Sequence, residues 1–149
     1  WVVSLPLQAL ALTPAPTGVG VPLTVAGALL AAAGIAYEAV ADAQLEAYKK
    51  DPDRPPVMGR GLWRFSRHPN YFGDACTWWG LWLPVAATGW GALTVVSPLL
   101  MTYLLVWGSG ARLMDRHMAG RPGWDDYVER TPFFVPGLPG PGQDRRVDS

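Results

Sequence analysis

Charged side chains are missing from two long stretches of this sequence. Residues 1–37 and residues 75–111 contain no Asp, Glu, Lys or Arg. Over the whole chain 16% of residues are charged, against roughly 25% in an average soluble domain. A helix needs about 20 apolar residues to cross a bilayer, so each stretch is long enough for one span and part of another. The pattern disfavours a soluble domain and predicts an all-α, polytopic transmembrane helix bundle.

Other absences exclude several kinds of site. Cys76 is the single cysteine, so no internal disulfide can form. With that cysteine, His68 and His117 make a poor zinc set, and we predict no metal. Gly59 and Gly61 are not followed by the remaining glycine of a dinucleotide-binding fingerprint, and no strand precedes them. The net charge is zero, which gives no indication of nucleic-acid binding.

The order of apolar runs and turn residues predicts about three full spans, a partial N-terminal one and a short C-terminal helix. Because the chain starts at Trp1 and its first apolar run is too short to span, we expect a preceding segment. We place one domain at residues 1–138 and a disordered, proline-rich tail at 139–149. The predicted elements are a helix end up to Leu12, a turn at 13–18, a helix from about Val19 to Lys50, a proline-broken loop, a span from Pro69 to about Ala87, a turn at 88–91, a span at 92–118 and a helix at 124–130.

All twelve Lys and Arg residues lie at or after residue 49. They fall in the 49–67 loop and from Arg112 onward, whereas the turns at 13–18 and 88–91 have none. Positively charged loops face the cytoplasm in membrane proteins. We therefore expect both charged segments to meet on the cytoplasmic face of an integral membrane protein.

A polar stripe continues the long helix that begins near Val19. At about 100° per residue, Glu38, Asp42 and Lys49 fall within roughly a 40° sector. One interpretation is surface charge, with Glu46 paired to Lys49 or Lys50. The other is that Glu38 and Asp42 face a bundle interior or a wet cavity, as ionisable groups at that depth usually do.

The junction at residues 67–74 combines basic and polar side chains with a predicted helix start at Pro69. A helix N-terminus carries partial positive charge and free N–H groups, which favour anions. Arg67 and His68 directly precede it, and Asn70 and Tyr71 lie in its first turn. Anchoring to lipid headgroups would explain Arg64, Arg67 and Tyr71. It would not explain Asn70 or Asp74.

Two arginines end the last predicted span. Arg112 and Arg116 are four residues apart, a repulsive spacing unless an anion or an acid lies between them. Asp115 could pair with Arg112, or the two arginines could bind a phosphate. Farther on, a short amphipathic element could close over a cofactor or rest on headgroups. Its polar and aromatic residues are Trp124, Tyr127 and Arg130.

The sequence between Gly61 and Asp74, followed by Trp78-Trp79-Gly80, resembles a family of bacterial membrane proteins related to steroid 5-alpha-reductase and long labelled a domain of unknown function. Residues 122–136 are similar to the C-terminal signature of that family. The resemblance implies NADPH bound on the cytoplasmic side of a bacterial inner-membrane helix bundle. It also implies hydride transfer to a conjugated carbon–carbon double bond of a lipid or steroid-like ketone.

The resemblance also places cofactor contacts on particular residues. The asparagine and the acidic residue of the family's motif correspond to Asn70 and Asp74. Its acidic residue on the preceding helix and the basic residue that follows correspond to Asp42 and Lys49. Its arginine on the last long helix corresponds to Arg112, and Arg116 occupies the position of a polar or basic partner. Glu38 stands where the steroid enzymes have a neutral amide. The acid that polarises the substrate carbonyl lies in the family's N-terminal half, so no catalytic residue is named. The predicted helix start adds Arg67, His68 and Tyr71 to this set, and the short C-terminal helix adds Tyr127. The predicted NADPH contacts are therefore Asp42, Lys49, Arg67, His68, Asn70, Tyr71, Asp74, Arg112, Arg116 and Tyr127.

The same superfamily holds membrane methyltransferases related to isoprenylcysteine carboxyl methyltransferase, which use S-adenosylmethionine and share an Arg-His-Pro-x-Tyr core. They usually carry paired glutamates on the last long helix. Here that region reads Leu113-Met114-Asp115-Arg116-His117. A methyltransferase remains the alternative enzyme class. A scaffold whose basic face docks on anionic membrane lipids is the non-enzyme alternative.

Overall fold

The computed structural model describes residues 2–13, 18, 20–108 and 110–140, and this part of the chain is helical with no β-strand. Its helices are α1 (Leu5–Leu12), α2 (Gly20–Lys50), α3 (Pro69–Trp82), α4 (Gly89–Leu93), α5 (Val96–Tyr103), α6 (Ala111–Met118) and α7 (Trp124–Arg130). Short 3₁₀ turns cover Gly61–Arg64 and Leu83–Val85, and a π-helical turn covers Leu104–Gly108. The prediction of an all-helical protein is confirmed.

The long helix α2 and its partner α3 form the centre of the fold. A Cβ atom built on Gly73 would lie 2.8 Å from the carbonyl oxygen of Gly34, and one on Gly80 would lie 2.7 Å from that of Gly27. The two helices therefore run in opposite directions with their backbones touching. Gly27 and Gly34 are seven residues apart, as are Gly73 and Gly80, so each pair lies on one face of its helix. Small residues at such positions allow close helix approach, as in membrane bundles.

Helix α2 begins and ends almost where the sequence predicts. It is rich in alanine and leucine, which favour helix formation. It ends at Lys50 because Pro52 disfavours helical backbone in the residue before it. Near this end Glu46 and Lys50 form an exposed ion pair of 2.7 Å, one helical turn apart. The predicted start of α3 at Pro69 and the predicted helix at 124–130 are also confirmed.

The second apolar stretch departs from the prediction in three places. Helix α3 ends at Trp82 because Pro84 lacks the N–H that would continue its hydrogen bonding, and a 3₁₀ turn takes the chain to Val85. Residues 89–91, predicted as a turn, open α4. The predicted single span at 92–118 is broken into α4, α5, a π-helical turn and α6. Pro98 cannot donate a hydrogen bond to Thr94, the residue that follows α4. Gly110 has non-helical backbone angles between the π-helical turn and α6.

Two stretches are long and apolar enough to cross a membrane, Gly20–Lys50 and Gly89–Met118. The core helix of a soluble protein would be mostly buried, but only 17% and 22% of the apolar windows in these stretches are buried. Leu29, Val25 and Ile35 on α2 are each more than half exposed. This exposure is expected of side chains that contact lipid.

The predicted turn at 13–18 lies mostly outside the described residues, since only Thr13 and Gly18 belong to them. The same is true of residues 141–149 of the predicted tail. Its first residues are described, and there the amide of Gly140 donates to the carbonyl oxygen of Arg130 at 2.8 Å.

Candidate functional site: a cationic cavity at the end of the central helix pair

A cavity of about 870 Å³ opens where α2 ends and α3 begins. Its walls come from the last two turns of α2, the 52–58 loop, the start of α3, the end of α6 and the start of α7. Cofactor and ligand sites usually measure about 300–1,000 Å³, so this cavity is large enough for a sizeable ligand.

Positive charge dominates the cavity wall. Lys49, Arg54, Arg67 and Arg121 line it, whereas Asp42 is the one carboxylate among the described residues of that wall. Within the described part of the chain, neither Lys49 nor Arg121 has an acidic side chain within ion-pair distance. Arg54 donates to the backbone carbonyl oxygens of Lys49 and Asp51. A cavity with this wall would attract an anion that carries several charges.

The floor of the cavity is polar but less charged. The amide nitrogen of Asn70 donates to a carboxylate oxygen of Asp42 at 2.9 Å, which ties the start of α3 to α2. The ring of Tyr71 stacks on that of His68, with an interplanar angle of 6°. His68 is the N-cap of α3, but its side chain makes no capping hydrogen bond. The helix start therefore keeps free N–H groups near the cavity.

Asp115 of α6 joins the two residues that precede α3. Arg67 Nη1 donates to one of its carboxylate oxygens at 2.5 Å, and His68 Nε2 lies 2.8 Å from the other. All three side chains are largely buried: Arg67 is 13% exposed, His68 6% and Asp115 19%. Arg67 also lies over the ring of Phe133, and its Nε atom is buried without a hydrogen-bond partner. The cluster holds an arginine of the cavity wall in a fixed position and leaves one of its donors unused.

The loop that carries this cluster is fixed by a chain of buried hydrogen bonds. Trp63 Nε1 donates to the carbonyl oxygen of Ala41 on α2 at 3.0 Å. The Tyr127 hydroxyl of α7 donates in turn to the carbonyl oxygen of Trp63 at 2.6 Å. Burial raises the pKa of Tyr127 from its usual value of 10.0, so the hydroxyl stays a donor at any physiological pH.

Replacing Tyr127 with phenylalanine is expected to destabilise the protein by about 1–3 kcal/mol, because the buried carbonyl oxygen of Trp63 loses its donor. The expected loss of melting temperature in detergent is roughly 2–12 °C. In the wild type, the pKa of Tyr127 is higher in the folded protein than in the unfolded chain, so the unfolded chain loses the proton at a lower pH. The contribution of Tyr127 to the free energy of unfolding therefore declines as pH rises above about 10. The Tyr127→Phe protein should lack the part of the stability loss at alkaline pH that comes from Tyr127. An unchanged melting temperature in this variant would contradict the hydrogen bond from Tyr127 to Trp63.

The segment after α7 completes the site from the other side. The amide of Arg67 donates to the carbonyl oxygen of Pro132 at 2.9 Å, and the Ser66 hydroxyl donates to that of Phe134 at 2.8 Å. Ser66 is fully buried. Residues far apart in the chain are therefore required to hold Arg67 and His68 beside the cavity.

Seven of the ten predicted cofactor residues line the cavity: Asp42, Lys49, Arg67, His68, Asn70, Tyr71 and Tyr127. Asp74, Arg112 and Arg116 are not among its lining residues. Sequence reasoning did not single out Arg54 or Arg121, which the structure adds. Both stand beside proline in irregular segments, where no helical periodicity indicates which way a side chain points.

Arg112 and Arg116 lie outside the cavity because Asp115 turns toward Arg67 and His68, which puts its two arginine neighbours on a different surface. They line a recess of about 280 Å³ with Asp115 and Phe133. Arg112 lies over the ring of Trp107, 5.3 Å from its centre. The suggested pairing of Asp115 with Arg112 is wrong, since both carboxylate oxygens are engaged elsewhere.

Asp74 lies at the interface of α2 and α3, one turn beyond the cavity floor. Its carboxylate lies near the Trp78 side chain and close enough to Glu38 to interact electrostatically. The polar stripe predicted on α2 is thus divided. Asp42 and Lys49 line the cavity, whereas Glu38 faces α3, where a Cβ atom on Gly73 would touch it.

A model of one protein family matches residues 1–131, which is most of the chain, and the family is described as a protein of unknown function, DUF1295. The chain belongs to the DUF1295 family. No curated protein and no solved structure matches it. The DUF1295 match includes every element that lines the cavity.

Proposed function

We propose that this DUF1295 protein is a membrane oxidoreductase that uses NADPH to reduce a conjugated carbon–carbon double bond in a lipid or steroid-like ketone. The observation that carries the proposal is the cationic cavity at the end of a membrane-length helix pair. The resemblance of the Gly61–Asp74 segment to steroid 5-alpha-reductase-related proteins adds the type of reaction.

The cavity wall suits a cofactor that carries phosphates. Lys49, Arg54 and Arg121 form no ion pair within the described part of the chain, so together they can bind several negative charges. Arginine also matches phosphate oxygens with two parallel hydrogen bonds. We assign the phosphates of NADPH to Lys49, Arg54, Arg67 and Arg121.

The polar floor suits the uncharged parts of the same cofactor. Asp42, Asn70 and Tyr71 offer hydrogen-bond acceptors and donors for ribose and carboxamide groups, and His68 and Tyr127 support that surface. When bound, NADPH would supply a hydride, which is the chemistry that the protein itself lacks. The contribution of the chain is to orient the cofactor and to keep water from the reacting atoms.

The position of the cavity along α2 supports a lipid-like substrate. From Gly20 to Asp42 the helix rises about 33 Å, close to the roughly 30 Å thickness of the hydrocarbon core. With Gly20 at one boundary, the cavity floor lies at the other, on the face that bears the lysines and arginines and is therefore cytoplasmic. In this orientation an apolar ketone would approach the floor from the bilayer.

A methyltransferase is the less suitable candidate for this cavity. S-adenosylmethionine carries a positive sulfonium group, which Lys49, Arg54 and Arg121 would repel. The sequence between Leu113 and His117 also lacks the paired glutamates that the membrane methyltransferases usually carry.

The proposal is tested by titrating NADPH into the full-length protein purified in detergent. Alanine at Lys49 or Arg121 is expected to weaken NADPH binding by about tenfold or more, since each removes a charged donor to phosphate. Lys50→Ala is the matched control, because Lys50 is the neighbouring lysine, is paired with Glu46 and does not line the cavity. It should change the affinity by no more than about twofold. Absence of NADPH binding, or equal losses in Lys49→Ala and Lys50→Ala, would contradict the proposal.

A further inference from the structure

The recess beside Arg112 is separate from the cofactor cavity and has no role in the proposed reaction. Arg112 and Arg116 lie about 40° apart around α6, and Phe133 also lines the recess. Both arginines are exposed. Asp115 lies between the recess and the cavity, with its carboxylate turned to Arg67 and His68.

The two guanidinium groups are not neutralised within the described part of the chain. Neither Arg112 nor Arg116 forms an ion pair there. The neighbouring acid, Asp115, already accepts from two other side chains. Two like charges one turn apart repel each other, and an anion between them would relieve that repulsion. Phosphate oxygens accept paired hydrogen bonds from guanidinium groups, so a phosphate fits between two arginines.

An exposed aromatic side chain lies against one of the two arginines. Trp107, whose ring lies under Arg112, is 51% exposed, and Leu113 on the adjacent part of α6 is 46% exposed. The recess follows an uncharged stretch of 37 residues, 75–111, and so lies at its polar end. A tryptophan beside arginines at such an end is typical of the level of lipid headgroups.

We propose that Arg112 and Arg116 bind the phosphate of an anionic phospholipid, with Trp107 and Leu113 against the upper part of its acyl chains. Each arginine interacts with the negatively charged headgroup, and the apolar side chains distinguish a lipid from a free anion. The site fixes the height of α6 in the bilayer, next to the Arg67–Asp115–His68 cluster.

The test uses delipidated full-length protein in detergent and measures binding of phosphatidylglycerol, with phosphatidylcholine and inorganic phosphate as comparison ligands. Wild type should bind phosphatidylglycerol more tightly than either. The double variant Arg112→Gln/Arg116→Gln should bind it about 10- to 30-fold more weakly, from the contribution of each basic residue to anionic-lipid binding. The control is Lys50→Gln/Arg60→Gln, which removes two exposed charges outside the recess and should change the affinity by no more than about twofold.

Three results would overturn the proposal. Equal affinity for phosphatidylglycerol and phosphatidylcholine would show that net charge is not recognised. Displacement of the lipid by equimolar phosphate would identify a free-anion site. A loss of NADPH affinity in the Arg112→Gln/Arg116→Gln protein would assign the two arginines to the cofactor, and unchanged NADPH affinity in that variant is the expected result.

Discussion

Replacing Gly73 with alanine is expected to separate α2 from α3 and to lower the stability of the protein. The new Cβ atom would lie 2.7 Å from the backbone nitrogen of Glu38 and 2.8 Å from the carbonyl oxygen of Gly34. Backbone atoms inside a helix cannot move aside as a flexible side chain can. Overpacking costs about 1–3 kcal/mol, and we expect the upper end, roughly 6–12 °C in melting temperature.

Gly89→Ala is the control for this change. Gly89 begins α4 and is exposed, and no atom of the described residues lies within 4 Å of the position that an added methyl group would take. Alanine there should leave the melting temperature within about 2 °C of wild type or raise it slightly, because alanine favours helix. A Gly73→Ala protein as stable as Gly89→Ala would contradict the close contact of the two helices.

Replacing Asp115 with asparagine is expected to destabilise the protein by about 3–5 kcal/mol. The change keeps the size of the side chain but removes the charge that balances Arg67. Because Arg67 is 13% exposed, its guanidinium group would remain largely buried without a counter-charge, which is the costly way to break an ion pair. We also expect NADPH binding to weaken, since Arg67 would no longer be held at the cavity wall.

Glu46→Gln is the matched control for Asp115→Asn. It removes the same type of charge from an ion pair whose side chains are 67% and 72% exposed. Exposed pairs contribute about 0–1 kcal/mol, so the melting temperature should change little. If the two variants lose stability equally, the Arg67–Asp115–His68 cluster does not have the structural importance assigned to it.

The features that depend on local sequence could be predicted. Charge-free stretches, prolines and alanine-rich helix segments predicted α2, the start of α3 and α7, because each depends on residues within one or two turns. The helix start at Pro69 also brought Arg67, His68, Asn70 and Tyr71 together correctly, since they are adjacent in the chain.

The features that depend on residues distant in the chain could not be predicted. Asp115 was considered with its neighbour Arg112, but its partners lie almost 50 residues away, and only the folded chain selects between them. Because Asp115 faces Arg67 and His68, Arg112 lies on another surface. Pro98 indicates the helix break at Thr94, and Gly110 indicates the break at its own position. Both breaks were missed because they lie within a continuous apolar run.

The close contact of α2 and α3 was also missed, although the sequence contains a signal for it. Gly27 and Gly34 repeat at a spacing of seven, as do Gly73 and Gly80. That spacing marks one helix face, but it does not identify the partner helix, which the structure supplies.

The most direct test of the account compares the binding of NADPH and S-adenosylmethionine to one preparation of the full-length protein, at low and high salt. We predict that NADPH binds and that S-adenosylmethionine does not displace it. The affinity for NADPH should fall steeply with salt, because salt screens the charges of Lys49, Arg54 and Arg121. Binding of S-adenosylmethionine without binding of NADPH would contradict the central claim that this cavity holds a phosphate-bearing cofactor.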